Sequence, residues 1–447
     1  MTVSSELLDG MFDAARRRRG TLTGLGGVAA GLVVGYLAAV LLAAPAPDPA
    51  ALEPGELVVL SGADESTGAQ RRALIEQWNA DPRLPDARLV EVSGGADAHR
   101  AEMVRRAQAG DRTVDIYNLD VTWTAEFADA GWIRPLDETV TDTSGFLEKP
   151  LATCRYHDRL WALPFNTDAG LLFYHADLTG DEPPTNLAGI RTVTNEVFAR
   201  PGGPPAGLEA GYTGQLRDYE GLTVNALEAI WAAGGEVVDA DGEVVVDSPA
   251  TRAALTQLAL GMTEGNPRTV LPASLGFDER AGTLAFQERR VLFMRNWPVA
   301  YGQLVAAEAG AAPLRIGTQP ITDSVLGGQN LAIASGSDQP EAARRLIEFL
   351  TGERSQQLLF ERGGFAATRE LIYRDAAVRK AFPYADDLLT AVRAARLRPV
   401  TPRYAQFSEV FRRGVGYALR HGGQLPDGFA DALRAALSGT PGGPRLP

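Results

Sequence analysis

From Glu56 onward the chain alternates short apolar runs with amphipathic stretches, and this alternation limits the fold more than any other feature. Residues 56–61 form a compact apolar strand. A helix is expected over about 67–79, with Leu74, Ile75 and Trp78 on one face at helical spacing. Residues 87–92 read as the next strand, 96–108 as the next helix, and 114–120 as a third strand ending in a carboxylate, Asp120. Repeated strand–helix–strand units imply a mainly parallel sheet covered by helices on both faces. Ligands of such sheets bind beyond the carboxyl ends of the strands, where Asp120 stands.

The pattern continues to the C-terminus. Helices are expected at about 219–233, 249–262, 283–289, 340–350, 353–362, 407–421 and 427–437. Residues 291–294 and 331–334 read as buried strands, and 237–246 as a hairpin turning at Asp241-Gly242. The glycines and prolines of 202–211 suggest a surface loop. No internal repeat occurs.

Composition removes several function classes. With 43 basic and 56 acidic residues the net charge is −13, which disfavours a broad nucleic-acid-binding face. One cysteine, Cys154, excludes an intramolecular disulfide and a cysteine-based metal cluster. The four histidines never fall at ligand spacing, so no metal and no cofactor is expected.

Residues 20–47 carry no charge. A helix of that length reaches about 40 Å, enough to cross a bilayer. Arg16 to Arg19 precede it, so residues 1–19 are expected to stay cytoplasmic and the body to lie outside, on a single-pass anchor. The rival reading is a cleaved signal peptide ending at Ala44-Pro45-Ala46, against which stands Pro47 at the first mature position. Residues 48–55 form a stiff spacer.

Polar and aromatic residues gather at expected strand ends and turns. Asp120 precedes Trp123; Asn166 and Asp168 follow Pro164-Phe165; Trp231 precedes a Gly-Gly pair; Trp297 follows Arg295-Asn296; Gly328 and Gln329 follow Gly327; and Arg398 and Arg403 flank two prolines. This inventory suits a sugar. An indole ring covers the C–H face of a pyranose, while carboxylates, amides and guanidinium groups bond its hydroxyls. The same residues admit a glycosidase in which Asp120 and Asp168 are the two carboxylates. No nucleophile elbow, zinc-protease motif or phosphate loop is present.

Residues 56–437 resemble the extracellular solute-binding proteins of ABC-type sugar importers (family 1), in particular the trehalose/maltose-binding branch. The likeness is carried by Asp120 to Asp137 (DVTWTAEFADAGWIRPLD), Leu160 to Tyr174 (LWALPFNTDAGLLFY), Tyr219-Glu-Gly-Leu222, Arg295-Asn-Trp-Pro-Val-Ala-Tyr301 and Arg398-Pro-Val-Thr-Pro-Arg-Tyr404, in the family's order. The resemblance implies an α/β, two-lobed periplasmic-binding-protein-like fold (type II) with ligand in the interlobe cleft. It implies a first lobe of 56–164 with about 324–375 and a second of 165–323 with about 376–437, with crossings near Pro164 to Asp168 and before Gly327. It implies ligand contacts at Asp120, Asp168, Trp297 and Arg398, with Arg100 on the second helix and Glu65 in the first loop. Asn166 and Gln329 stand where the branch can carry aromatics, which exchanges stacking for hydrogen bonding. No chemistry is expected. The ligand would be an α-glucoside such as trehalose or maltose, or another di- or oligosaccharide. The partners would be a permease with a separate ATPase chain, or alternatively a signalling protein.

Overall fold

The computed structural model describes residues 52–307, 315–441 and 443–446. The uncharged segment 20–47 lies outside the described residues, and among those described no helix is long and apolar enough to cross a membrane. Residues 53 onward form one compact unit.

Two five-stranded sheets organise this unit. The strands are β1 (Leu57–Gly62), β2 (Ala87–Val92), β3 (Ile116–Asp120), β4 (Arg155–Tyr156), β5 (Arg159–Leu160), β6 (Leu163–Ala169), β7 (Leu171–His175), β8 (Ala210–Thr213), β9 (Arg268–Val270), β10 (Val291–Asn296), β11 (Ile316–Pro320) and β12 (Leu326–Ile333). The first sheet has the order β2-β1-β3-β12-β6, and the second β11-β7-β10-β8-β9. β1, β2 and β3 run parallel, and β12 runs antiparallel to both β3 and β6. In the second sheet β10, β8 and β9 are parallel, whereas β7 and β11 run against their neighbours. The small β4–β5 hairpin stands apart.

The residues of these elements explain their places. All six positions of β1 are buried, as expected of a strand covered by helices on both faces. The helix Gln70–Asn79 buries Leu74, Ile75 and Trp78, as its spacing predicts. The helix Pro249–Thr263 starts at Ser248, whose hydroxyl accepts from the Thr251 amide, with proline in the first turn. The helix Glu279–Gln287 begins four residues earlier than its apolar spacing suggests, because Asp278 caps it by accepting from the Ala281 amide. The hairpin at Asp241-Gly242 is reduced to one bridge, Val238 to Val244. Asp239 shapes its turn, accepting from the amides of Asp241 and Glu243. The expected loop over 202–211 gives way at Ala210 to β8, which is buried at three of its four positions.

The chain passes between the two sheets three times. β6 hands over to β7 through Gly170, and β11 to β12 through residues 321–325. Residues 395–398 run alongside the second crossing, where the Arg396 amide donates to the Ser324 carbonyl and the Leu326 amide to the Arg396 carbonyl. These crossings divide the unit into two lobes, one around each sheet. The helix Tyr404–Arg420 packs on the helices Glu220–Ala232 and Pro249–Thr263 of the second lobe.

Candidate functional site

The three strand ends nearest the crossings bring polar side chains into one row. Asp120 of β3 pairs in register with Gln329 of β12, and Gln329 with Asn166 of β6. Gly327 pairs with Asp168. A Cβ built on Gly327 would lie 3.1 Å from a ring carbon of Trp297 and 3.2 Å from the Asp168 Cβ, so the indole and the Asp168 side chain both close on this glycine. At Gly328 the backbone has φ +126°, and a Cβ there would meet the Asn166 carbonyl oxygen at 2.3 Å. Only glycine lets β12 approach β6 so closely.

Two buried guanidinium groups flank the row. Arg398 donates to Glu220 at 2.7 Å and to Asp120 at 3.2 Å, tying the third crossing to both lobes. Burial alone would lower its pKa, but Asp120, Tyr404 and Glu220 outweigh that and raise it. Glu220 also accepts from the hydroxyls of Tyr404 and of Ser408, and burial pushes its carboxyl up. Arg71, on the helix Gln70–Asn79, donates to the side chains of Gln329 and Ser61 and lies over the Phe365 ring. Burial lowers its pKa against the pull of Asp64, Asp168 and Glu65. Asp168 is raised to about 7 by burial, despite the opposing charges of Arg71 and Arg295.

Four polar atoms of this group are buried without a hydrogen-bond partner: Nε of Arg71, Nε of Arg398, Oδ1 of Asn166 and Oδ1 of Asp168. Buried polar atoms are rarely left bare, so a cluster of two donors and two acceptors marks a place for a ligand rich in hydroxyls.

Beside the row a cavity of about 230 Å³ opens between the lobes. One wall holds Asp97, Arg100 and Trp123, and the other Glu220, Ser408 and Arg412. Arg100 is held by Glu126 through a 2.7 Å bond from its Nε. Arg412 reaches across to Asp97 at 2.7 Å.

Of the residues singled out in the sequence, Asp120, Asn166, Asp168, Trp297, Gly328, Gln329 and Arg398 come together in the row, and Arg100 and Trp123 line the adjoining cavity. Glu65 is exposed on the loop after β1 and acts on Arg71 only through its charge. Trp231 is not part of this group. Arg396 covers its ring at 4.3 Å, and it lines a separate cavity with Glu236 and Val238. Arg71, Glu220 and Arg412 carry no signal in the sequence, because an arginine or glutamate on a helix looks like a solvated surface residue until the facing lobe is placed. Cys154 is fully buried, and burial raises its thiol out of the reactive range. Among the described residues no cluster of histidine, cysteine or carboxylate side chains could hold a metal ion.

Residues 62–357 match the family described as bacterial extracellular solute-binding protein. The chain belongs to that family. A relative from Deinococcus radiodurans, a probable ABC transporter-binding protein, is 30% identical over 349 residues, covering 73% of this chain and 80% of its own. Among solved structures, a maltose-bound T. maritima protein, MalE3, superposes with a TM-score of 0.75 at 25% identity, covering 87% of this chain and 99% of its own. The GacH receptor of Streptomyces glaucescens, solved unliganded and with acarbose, gives 0.74 at 25% identity over 86% of this chain and 99% of its own. The fold is the two-lobed α/β fold of these binding proteins, the family is one of binders rather than enzymes, and its members act outside the cytoplasm.

Proposed function

We propose that this solute-binding protein is the substrate-binding component of an ABC sugar importer, taking an α-glucoside such as trehalose or maltose, or another di- or oligosaccharide, between its lobes. The observation that carries the reading is the set of four unpartnered buried atoms around the strand-end row, with Trp297 next to Asp168 and carrying the Arg295 guanidinium 3.8 Å from its ring centre. A sugar hydroxyl donates and accepts at once, so it can bridge the Nε of a guanidinium and the Oδ1 of a carboxylate or amide. The indole suits the apolar face of a pyranose. The relatives support the class, since those at 25% identity are described with maltose and with acarbose.

Binding would work by population shift. A ligand that touches both lobes binds the closed arrangement better and so favours it. The closed form would dock on a permease whose ATPase is a separate chain, with residues 20–47 as a membrane tether. A thermal-shift screen of the full chain against trehalose, maltose and maltotriose tests this. A ligand present at 100 times its Kd stabilises by about 2.7 kcal/mol, a shift of several degrees. If no sugar moves the melting temperature, the reading is wrong.

A further inference from the structure

The lobes meet at a second place besides the Arg412–Asp97 pair. The helix Val299–Ala307 follows β10 and belongs to the second lobe, where its Ala300 and Leu304 are buried beside Phe286 and Met294. At about 100° per residue, Val299 and Gly302 fall on the opposite face of that helix. This face, with Trp297 just before it, lies against the first lobe at three glycines. A Cβ built on Gly327 of β12 would meet the Trp297 ring at 3.1 Å. One on Gly364, which closes the helix Glu353–Gly363 with φ +79°, would lie 3.7 Å from the Val299 Cα. One on Gly302 itself would lie 3.0 Å from the Thr67 Oγ1, on the loop after β1.

Both sides of this seam are tied into their own lobes. In the first lobe the Thr67 amide donates to the Gly363 carbonyl at 3.1 Å, and the Ser66 and Arg71 amides donate to the Asp64 carboxylate at 3.0 and 2.9 Å. A Cβ on Gly363 would lie 3.0 Å from the Ser66 Cβ, so the loop and the helix end form one surface. In the second lobe the Trp297 amide donates to Asn296 Oδ1 at 2.8 Å, and the Asn296 side chain donates to Thr283 Oγ1 at 3.0 Å. A side chain at any of the three glycines would reach the facing lobe, so the two surfaces come this close only because the glycines are bare. Thr67 keeps an exposed side, which places its contact at the edge of the seam.

We propose that Thr67 and Gly302 are positioning residues for ligand capture: the glycine seam is the seat on which the second lobe closes, and it sets how near Trp297 comes to the Asp168 end of the row. The seam parts when the cleft opens and re-forms when it closes, because each side is held within its own lobe and only shape joins the two. Contacts made in the closed arrangement alone favour that arrangement, so the fit at Gly302 sets the strength of ligand binding without any touch on the ligand. The inference rests on the reading of the interlobe cleft as the sugar site, but the opening and closing of the seam is measured without sugar.

A pair of cysteines tests it in the full chain. In the double variant Thr67→Cys, Gly302→Cys the Cβ at 302 and the sulfur at 67 would stand near the 3.0 Å of the present contact. A disulfide puts about that separation between a Cβ and the far sulfur. The native Cys154 is fully buried and does not compete. Oxidised glutathione should form the intrachain disulfide without sugar, and the scattering radius should then fall below that of the reduced chain and recover in dithiothreitol. The locked chain should take up maltose and trehalose at least tenfold more slowly than the reduced one. If the disulfide and the radius behave so but neither form binds a sugar, the sugar reading fails and the seam stands. Thiols that stay free in a chain with the unsubstituted melting temperature, a disulfide that leaves the radius unchanged, or equal rates of sugar entry overturn the proposal. Should the double variant fail to fold, Gly302→Trp decides. An affinity at least tenfold weaker, with the sugar-free melting temperature kept, supports the seam, and an unchanged affinity overturns it.

Discussion

Asp168 is pulled two ways. Burial raises its pKa to about 7, while Arg71 and Arg295 draw it down and Asp120 adds to the rise. In the unfolded chain the group titrates near 3.8. Its folded pKa is therefore the higher one. Its contribution to stability is complete below about pH 3, where both states are protonated, and is lost as the pH rises through 3.8 to about 7. Asp168→Asn should leave stability at about pH 3 nearly unchanged and raise it at pH 8 by about 4 kcal/mol, as read by urea unfolding. Equal stabilities at pH 8 would show that the carboxylate is not desolvated. The same substitution should weaken sugar binding at least tenfold, because a hydroxyl bonded to a charged partner contributes about 1.5–3 kcal/mol. A ligand hydroxyl favours the ionised form, so binding near pH 6.5 should release protons. Calorimetry in buffers of differing ionisation heat would detect this, and proton uptake would contradict it.

At the scale of elements, the crossings share one buried ion pair. Arg295 at the end of β10 and Glu228 on the helix Glu220–Ala232 are almost fully buried. Glu228 also accepts from the Val325 amide at 3.1 Å and the Ser324 hydroxyl at 3.3 Å, and Ser324 in turn accepts from the Gly170 amide. Two crossings therefore hang on one carboxylate. Glu228→Gln should cost about 3 kcal/mol, the usual effect of orphaning a buried charge. Adding Arg295→Met should recover part of that loss; a double variant less stable than the single one would contradict this account. Much at this scale was legible in the sequence, for physical reasons. The helix Ala96–Gln108 and the strand Ala87–Val92 fall where the strand–helix alternation of the sequence expects them. The start of the helix Glu279–Gln287 depends on the Asp278 cap, and β8 is a strand only because β10 and β9 lie on either side of it. Such dependence on distant partners is not written locally. The same holds for the site. Asp120 and Asp168 stand out as strand-end carboxylates, but Arg71 and Glu220 take on meaning only when helices and facing lobe are in place.

For the whole molecule, the decisive relation is between the lobes. Arg412 of the second lobe meets Asp97 of the first at 2.7 Å, with Arg412 mostly buried and Asp97 half exposed. An ion pair with one exposed partner contributes about 0–1 kcal/mol. Asp97→Asn should therefore leave the fold intact and loosen closure, lowering sugar affinity about two- to fivefold. Its unliganded scattering radius should also exceed that of the unsubstituted chain. An unchanged radius and affinity would show that the pair does not hold the lobes. Arg398 makes the firmer link, bonding Asp120 and Glu220 across the cleft from within the third crossing. The central claim is that a sugar occupies this interlobe site against Trp297. Titration calorimetry of trehalose, maltose and maltotriose into the full chain and into Trp297→Ala tests it most directly. Micromolar or tighter binding of at least one sugar is expected, weakened about a hundredfold or more by the substitution. No heat with any of them, or an affinity that Trp297→Ala leaves untouched, would contradict it.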